Sequence, residues 1–483
     1  MIRVKNSTVT RSDAPATVIV NKSKVGFAKL LASRTRSGLP VVVLLLFVMG
    51  VESRFVSQVP RLPPELQDMI MDYLHDDKPS LLSCSLVCRC WIYSSRHHLL
   101  QSIYIIEGRW AGHGVVQFAS FLEELVKAGR DLLFIPHVHE LHVLGTNGDV
   151  HTLQVFERPN VSSCAIARIL TRLSRLRGLE LAGLQLQKSA QSNLPCSKAA
   201  FKLSKLSLAM VSGSGEESLE DFLSVLRLFR HVENLRLSGV ELDVEDEDQE
   251  GVARTLSSVE LPKDMSIRLL VLDSDSPGVN LLCELFRRVV AVGILQRLRV
   301  TCHDLVDVAA LGELINTTGV MDLELQLNPG VLQGIGGVTP VDWKAFQLSS
   351  CPYLKSIGFT IDSQDLDLVY HLLNAQIDIL SIIPSQVSII IFIIYIYDGE
   401  AFFNDVDKTD WARMDAVLDE FSMKHVLFQI CDLMQPPRRL LQNCQDLLTT
   451  KLPRLKKRNS LHLRFLDASS DVYEHLKSQH RNS

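Results

Sequence analysis

The pattern of apolar residues near residue 60 predicts a small bundle of short helices. Pro63 and Pro64 suit a first helical turn, because proline lacks the N–H group that is unsatisfied there. Apolar residues then recur at i, i+3, i+4, i+7 and i+8: Leu66, Met69, Ile70, Tyr73 and Leu74. A second helix is predicted near Pro79 and a third near Trp91. Three short helices within about 45 residues form only a marginal core, which needs a partner to cover its remaining apolar surface.

From about residue 130, a short unit recurs with apolar residues at its first, fourth and sixth positions. It occurs eight times at steps of 25 to 38 residues, which leaves room for a strand, a helix and two loops in each repeat. Its central residues are Leu141, Leu179, Leu206, Leu235, Leu270, Leu298, Leu323 and Ile357. Because a repeat of this size cannot bury its apolar face alone, the pattern predicts parallel strands of one curved sheet, with these residues in one buried column.

Two stretches differ from this repeat texture. Residues 377–397 contain ten isoleucines, and the run is either a buried strand or sequence foreign to the mature protein. Residues 241–250 are acidic and are interpreted as a solvated loop, with contact to a basic partner as the alternative. A helix at 411–421 and two strands at 425–430 and 460–465 are predicted to cap the repeats.

The N-terminal segment is basic and then apolar. Residues 1–36 hold eight Lys and Arg residues and the single acid Asp13, and the apolar run 39–51 follows. This run has 13 residues, fewer than the roughly 17–25 that a membrane-spanning helix needs. Residues 1–58 are therefore predicted to be a poorly ordered tail that is dispensable for folding, or the product of an imperfect gene model, with a transit peptide or a signal anchor as the alternatives.

The composition of the chain mainly excludes classes of protein. The chain of 483 residues has 46% hydrophobic residues, enough for a folded protein of several domains. Its net charge of −5 offers no basic field for nucleic acid. The ten cysteines are scattered along the chain, which favours reduced thiols and a location in the cytoplasm, the nucleus or both.

The sequence shows no recognisable set of catalytic residues. Cys84, Cys88 and Cys90 lack the paired spacing of a zinc site and fall within predicted helices. His137 and His139 would share one face of a strand with Leu141, so no tight cluster with His142 is predicted. We therefore expect no metal, no cofactor and no enzymatic activity.

The stretch 62–96 resembles an F-box. That family's pattern opens with Leu-Pro and a helix ending in a Leu pair or Phe-Leu, and a second helix leads into Leu/Val-Cys-Arg/Lys-x-Trp. The matching positions are Leu62, Pro63, Leu66, Ile70, Leu74, Leu82, Leu86, Val87, Cys88, Arg89 and Trp91. The arrangement is most similar to the expanded F-box families of mushroom-forming fungi, which commonly carry irregular leucine-rich repeats downstream.

The resemblance implies an α/β chain with a small three-helix F-box followed by an irregular leucine-rich-repeat solenoid. It further implies that the F-box docks on a Skp-type adaptor, and through it on a cullin, while the repeats hold a protein substrate. The chain would then be the substrate-recognition subunit of a ubiquitin ligase. The residues implied to bind the adaptor are Leu62, Pro63, Leu66, Ile70, Leu74, Leu82, Leu86, Val87 and Trp91.

These interpretations predict five regions along the chain. They are a tail at 1–58, the F-box at 59–104, the solenoid at 130–375, an Ile-rich insert at 376–397 and a cap at 398–483. Two alternatives remain open. One is a leucine-rich interaction scaffold with no role in ubiquitination, and the other is a membrane-anchored protein.

Overall fold

The computed structural model describes most of the chain from Pro63 to Phe465. The described residues are 63–75, 77–87, 89–107, 114–129, 134–145, 158–188, 201–213, 217–242, 254, 256–257, 260–262, 265–273, 278–328, 331, 342–362, 369–397, 399–421, 425–432 and 438–465. The predicted tail and most of the acidic stretch lie outside them. Among the described residues, no helix is both long and apolar enough to cross a membrane. The chain forms two compact units, residues 1–229 and 230–483.

The first unit begins with the three predicted helices. They are α1 (Pro64–Tyr73), α2 (Lys78–Val87) and α3 (Arg89–Leu100). Asp77 stabilises the start of α2, because its carboxylate accepts hydrogen bonds from the Ser80 hydroxyl at 2.5 Å and the Ser80 backbone N–H at 3.2 Å. These two hydrogen bonds lower the pKa of Asp77.

The rest of the first unit is a parallel sheet with helices between its strands. Its strands, in order across the sheet, are β1 (Ser102–Glu107), β2 (Glu140–Gly145), β4 (Gly178–Ala182) and β6 (Phe201–Ala209). A separate parallel pair consists of β3 (Asn160–Ser162) and β5 (Gln185–Gln187). The helices are α4 (Gly114–Lys127), α5 (Ser163–Arg172) and α6 (Ser218–Leu226). A 3-10 turn, Ile135–His137, precedes β2.

The second unit has a parallel sheet whose strands follow chain order. They are β7 (Phe229–Ser238), β8 (Ser266–Asp273), β9 (Arg297–Cys302), β10 (Asp322–Leu327), β11 (Ser356–Asp362), β12 (Ile389–Ile396), β13 (His425–Asp432) and β14 (Leu461–Phe465). The helices are α7 (Val279–Val289), α8 (Leu305–Thr318), α9 (Val369–Leu380), α10 (Gly399–Val406), α11 (Trp411–Glu420), α12 (Arg438–Lys451) and α13 (Pro453–Lys457). Two 3-10 turns, Trp343–Phe346 and Leu348–Ser350, precede β11.

The predicted strand register is confirmed within each unit. In the first, Leu141 pairs with Leu179, and Leu179 pairs with Leu206. In the second, the paired column runs through Leu235, Leu270, Leu298, Leu323 and Ile357. All eight side chains are buried. The repeated apolar unit therefore marks the strand positions that face the core.

Each sheet extends beyond its predicted strands, the first unit's at its start and the second unit's at its end. Strand β1 pairs with β2 and begins at Ser102, earlier than the repeat pattern predicts. Its segment SIYIIE lacks the repeated unit, which explains why the pattern missed it. At the other end, Ile390, Val426 and Leu461 continue the column from Ile357.

The Ile-rich segment contributes a regular strand of this sheet. In β12, Ile390, Phe392 and Ile394 are buried, as expected for alternate residues that face a core. Phe392 stacks between Phe359 and Phe428 of the neighbouring strands, with ring centroids 5.6 and 4.7 Å apart. Of the two interpretations, the buried strand is the one that the structure shows.

The predicted cap elements are also present. Helix α11 and strands β13 and β14 occupy the predicted positions, and both strands join the parallel sheet. The carboxylate of Asp415, buried in α11, accepts hydrogen bonds from the backbone N–H groups of Arg454 and Leu455 at 3.1 and 3.4 Å. This contact ties α11 to the first turn of α13.

Candidate functional site

The apolar side of α1 faces outward. Its exposed fractions are 45% for Leu66, 65% for Met69, 39% for Ile70 and 87% for Tyr73. These four residues are called the α1 stripe below. Their helical spacing is the one expected of a buried face, yet they are exposed. An apolar strip of this kind on a small helical unit is typical of a surface that a partner covers.

The opposite side of α1 explains this orientation, because it is held against α3 mainly by polar contacts. Asp68 accepts a hydrogen bond from the Ser94 hydroxyl at 2.6 Å. Asp72 accepts one from Nε2 of His98 at 2.9 Å. Met71 is fully buried, and its Sδ accepts a hydrogen bond from the Ser95 hydroxyl at 3.3 Å. Burial of Met71 and the hydrogen bonds of Asp68 and Asp72 to α3 therefore turn the α1 stripe to solvent.

Helix α2 also has both a buried and an exposed apolar residue. Leu81 is fully buried, whereas Leu86 is 68% exposed. Lys78, in the first turn of α2, donates a hydrogen bond from Nζ to the backbone carbonyl of His98 at 2.5 Å. This bond links the start of α2 to the end of α3. The small core of the helices thus consists of few residues, and much of the apolar surface lies outside it.

The predicted site residues fall into three groups. Pro63, Leu66, Ile70 and Leu86 are exposed, and Leu74, Leu82 and Trp91 are half-buried. Leu62 and the side chain of Val87 lie outside the described residues. Met69 and Tyr73, which the family pattern omits, are the most exposed apolar residues of α1. Their helical spacing to Leu66 and Ile70 was the signal that could have found them.

A cluster of histidines joins α3 to the first strands of its unit. His97 lies in α3, and its ring centroid is 6.0 Å from that of His137 and 5.7 Å from that of His139. Burial, followed by the charge of neighbouring cations and histidines, lowers the pKa of all three residues. Tyr93 adds an edge contact to His137, with centroids 5.1 Å apart. These contacts, called the histidine junction below, are therefore aromatic, and they favour the neutral form of the three imidazoles.

The strand geometry considered for the HVHELH segment was wrong for two of its histidines. His137 ends the 3-10 turn and His139 precedes β2, because the strand itself begins at Glu140. Only His142 lies on the strand, where it stacks on Tyr104 with centroids 4.4 Å apart and donates from Nδ1 to Glu180 at 2.7 Å.

The exposed apolar residues of these helices enable them to bind a partner protein. Fully burying one large apolar side chain contributes about 1.5–3 kcal/mol, so a partner that covers the α1 stripe gains several kcal/mol before the costs of association. Leu86 adds a further exposed apolar group on α2.

Comparison with known proteins agrees with this location. The family model described as F-box-like matches residues 59–105, which include α1, α2 and α3. A search of curated proteins found no match to the chain. The chain therefore carries an F-box-like domain at its first helices.

Proposed function

We propose that the chain is the substrate-recognition subunit of an SCF-type ubiquitin ligase and is not itself an enzyme. In this proposal the F-box-like helices bind a Skp-type adaptor, and the adaptor connects them to a cullin. The α1 stripe is the observation that carries the proposal, because it exposes four large apolar residues within the matched segment. A receptor of this kind works in the cytoplasm, the nucleus or both.

We further propose that the parallel sheets form an irregular leucine-rich-repeat solenoid that holds a protein target. The in-register column of leucines supports this interpretation, since each repeat places the same position on the next strand. Irregular repeats downstream of an F-box are also common in the fungal families that the sequence resembles. Within the first unit, the histidine junction supports a fixed geometry between the helices and the first strands.

Two other functions would use the same parts differently. A leucine-rich scaffold outside ubiquitination would keep the sheet but leave the α1 stripe without an adaptor. A membrane-anchored protein would depend on the apolar run 39–51, which lies outside the described residues. Direct binding to an adaptor separates the first alternative from our proposal, and carbonate-resistant membrane pelleting of the full-length chain would favour the second.

The test is binding of the purified full-length chain to a purified Skp-type adaptor, followed by addition of cullin. We expect micromolar or tighter adaptor binding and a ternary complex with cullin. Ile70→Asp and Leu86→Asp should each lower adaptor affinity at least ten-fold, because a charge would have to be buried in the interface. Val116→Asp is the matched control, since Val116 is an exposed apolar residue on α4. Absence of adaptor binding by the folded chain would overturn the proposal.

A further inference from the structure

Two histidines meet on the surface of the second unit, on the neighbouring strands β13 and β14. His425 is the first residue of β13, and His462 is the second residue of β14. Nδ1 of His425 lies 2.9 Å from Nε2 of His462, and the two ring centroids are 4.9 Å apart. Both residues are exposed. No spacing in the sequence indicates this pair, because the two histidines are 37 residues apart.

The strand register explains how the two rings reach each other. His462 is paired with Leu427, which follows His425 by two residues on the same face of β13. The two histidines are therefore diagonal neighbours on one face of the sheet, a separation that aromatic side chains can bridge. On the other side of β13, His425 is paired with Ile389 of β12. These two apolar neighbours offer no hydrogen bond to the ring nitrogens, which are left to face each other.

Nitrogen atoms of two neutral imidazoles at this separation are suited to holding a transition-metal ion. A zinc–nitrogen bond is about 2.0–2.1 Å long, so two nitrogens bound to one tetrahedral zinc ion are about 3.4 Å apart. A small rotation of the two exposed rings opens the observed separation to this value. In the hydrogen-bonded pair, one of the two nitrogens carries a proton. That proton moves to the other nitrogen of the same ring when a metal takes its place, so both imidazoles stay neutral.

We propose that His425 and His462 bind a zinc ion, with water molecules completing its coordination. Within the part of the chain that the structure describes, no group of three or more His, Cys, Asp or Glu residues is arranged to hold a metal ion. The described residues therefore supply two ligands. Arg464 lies two residues beyond His462 on the same face of β14, and its positive charge lowers the affinity for a cation. A two-histidine site beside this charge is expected to bind zinc reversibly, in the micromolar range.

The position of the pair gives bound zinc a structural effect. Strand β14 pairs with β13 and ends the sheet in the described part of the chain. A terminal strand has a neighbour on one side only, so it separates from the sheet more easily than an inner strand. Zinc held by one ligand from each strand links β14 to β13. This role is independent of adaptor binding, which depends on the α1 stripe.

The first test measures zinc affinity of the full-length chain by competition with a chromophoric chelator. His425→Ala and His462→Ala should each weaken binding at this site at least ten-fold, because a single imidazole remains. His371→Ala is the matched control, since His371 is an exposed histidine on α9 whose ring packs beside Tyr370. It should leave the zinc affinity unchanged. The melting temperature of each variant shows whether it is folded.

The second test uses the wild-type chain and locates the metal directly. Diethyl pyrocarbonate modifies exposed histidines, and mass spectrometry reports the rate at each residue. Zinc should slow the modification of His425 and His462 at least several-fold and leave the rate at His371 unchanged. Hydrogen exchange of the backbone amides of β14 should also slow when zinc is added, because the metal links this strand to its neighbour.

Either of two results would overturn the inference. One is a zinc affinity that both histidine variants share with the wild type. The other is modification of His425 and His462 at the same rate with and without zinc, which would leave the pair a surface hydrogen bond only. Since the second result comes from the wild-type chain, it decides the question even if a variant fails to fold.

Discussion

The α1 stripe and the column of the parallel sheets both consist of regularly spaced apolar residues, but the stripe is exposed and the column is buried. Within each unit, the residues of the column are paired with the equivalent residues of the neighbouring strands, and all eight side chains are buried. In the stripe, four apolar residues at helical spacing are exposed, with Tyr73 at 87%. The difference lies in the number of neighbours, because a strand has another strand on each side whereas α1 packs on α3 through its polar edge. Regular apolar spacing therefore indicates a contact surface, and the rest of the fold decides whether the contact is internal.

The largest expected effect comes from shortening a residue of the column. Leu298→Ala removes a fully enclosed side chain between Leu270 and Leu323, and it should lower the free energy of unfolding by about 2–5 kcal/mol. Met69→Ala in the stripe should change it by less than about 1 kcal/mol, since that side chain is mainly in water. Urea unfolding followed by circular dichroism measures both. Equal losses for the two variants would break the comparison.

The next effect concerns binding at the stripe. Tyr73→Ala and Met69→Ala should each weaken adaptor binding by about 1–3 kcal/mol, or roughly ten-fold, while thermal stability stays constant. Both residues are more exposed than Leu66 and Ile70, which belong to the family pattern. Titration calorimetry with the adaptor provides the measurement. Val292→Ala, another exposed apolar residue, should leave the affinity unchanged. Full affinity in both stripe variants would show that the adaptor contacts only the family positions.

A third effect has the opposite sign and comes from the core of the second unit. Gln376 in α9 is fully buried, and neither its amide nitrogen nor its amide oxygen has a hydrogen-bond partner among the described residues. Gln376→Met replaces the amide with an apolar group of similar length. It should raise the free energy of unfolding by about 1–3 kcal/mol, since an unsatisfied buried polar group carries that cost. Gln442→Met, at an exposed position of α12, should have little effect. Destabilisation by Gln376→Met would reveal a partner for the amide.

The smallest effect concerns the histidine junction between the helices and the first strands. Burial lowers the pKa of His97, His137 and His139 in the folded chain. As pH falls below about 6.5, the unfolded chain takes up protons first, so folding stability falls. The triple variant to Gln should show a smaller drop in melting temperature between pH 7.5 and pH 5.5. His371→Gln, on the surface of α9, is the control. An unchanged drop in the triple variant would exclude the junction as its source.

Much of the fold follows from local patterns. The spacing of the repeated unit predicted which residues of neighbouring strands pair, because side chains alternate strictly along a strand and a slip of one residue would expose the column. It missed β1, whose segment SIYIIE has no repeated unit, and it left β12 undecided because ten isoleucines obscure any alternation. For the helices, the spacing identified the α1 stripe as one surface. It did not reveal that the surface is left exposed.

The sequence by itself determined the type, order and register of most elements, because helical and strand periods are properties of a few consecutive residues. It also located the F-box-like segment, whose motif spans residues close together in the chain. Only the tertiary structure decided which apolar face was left for a partner. This depends on contacts between residues far apart in sequence, such as Ser94 with Asp68. Burial is set by what packs against a face, and no local pattern contains that information.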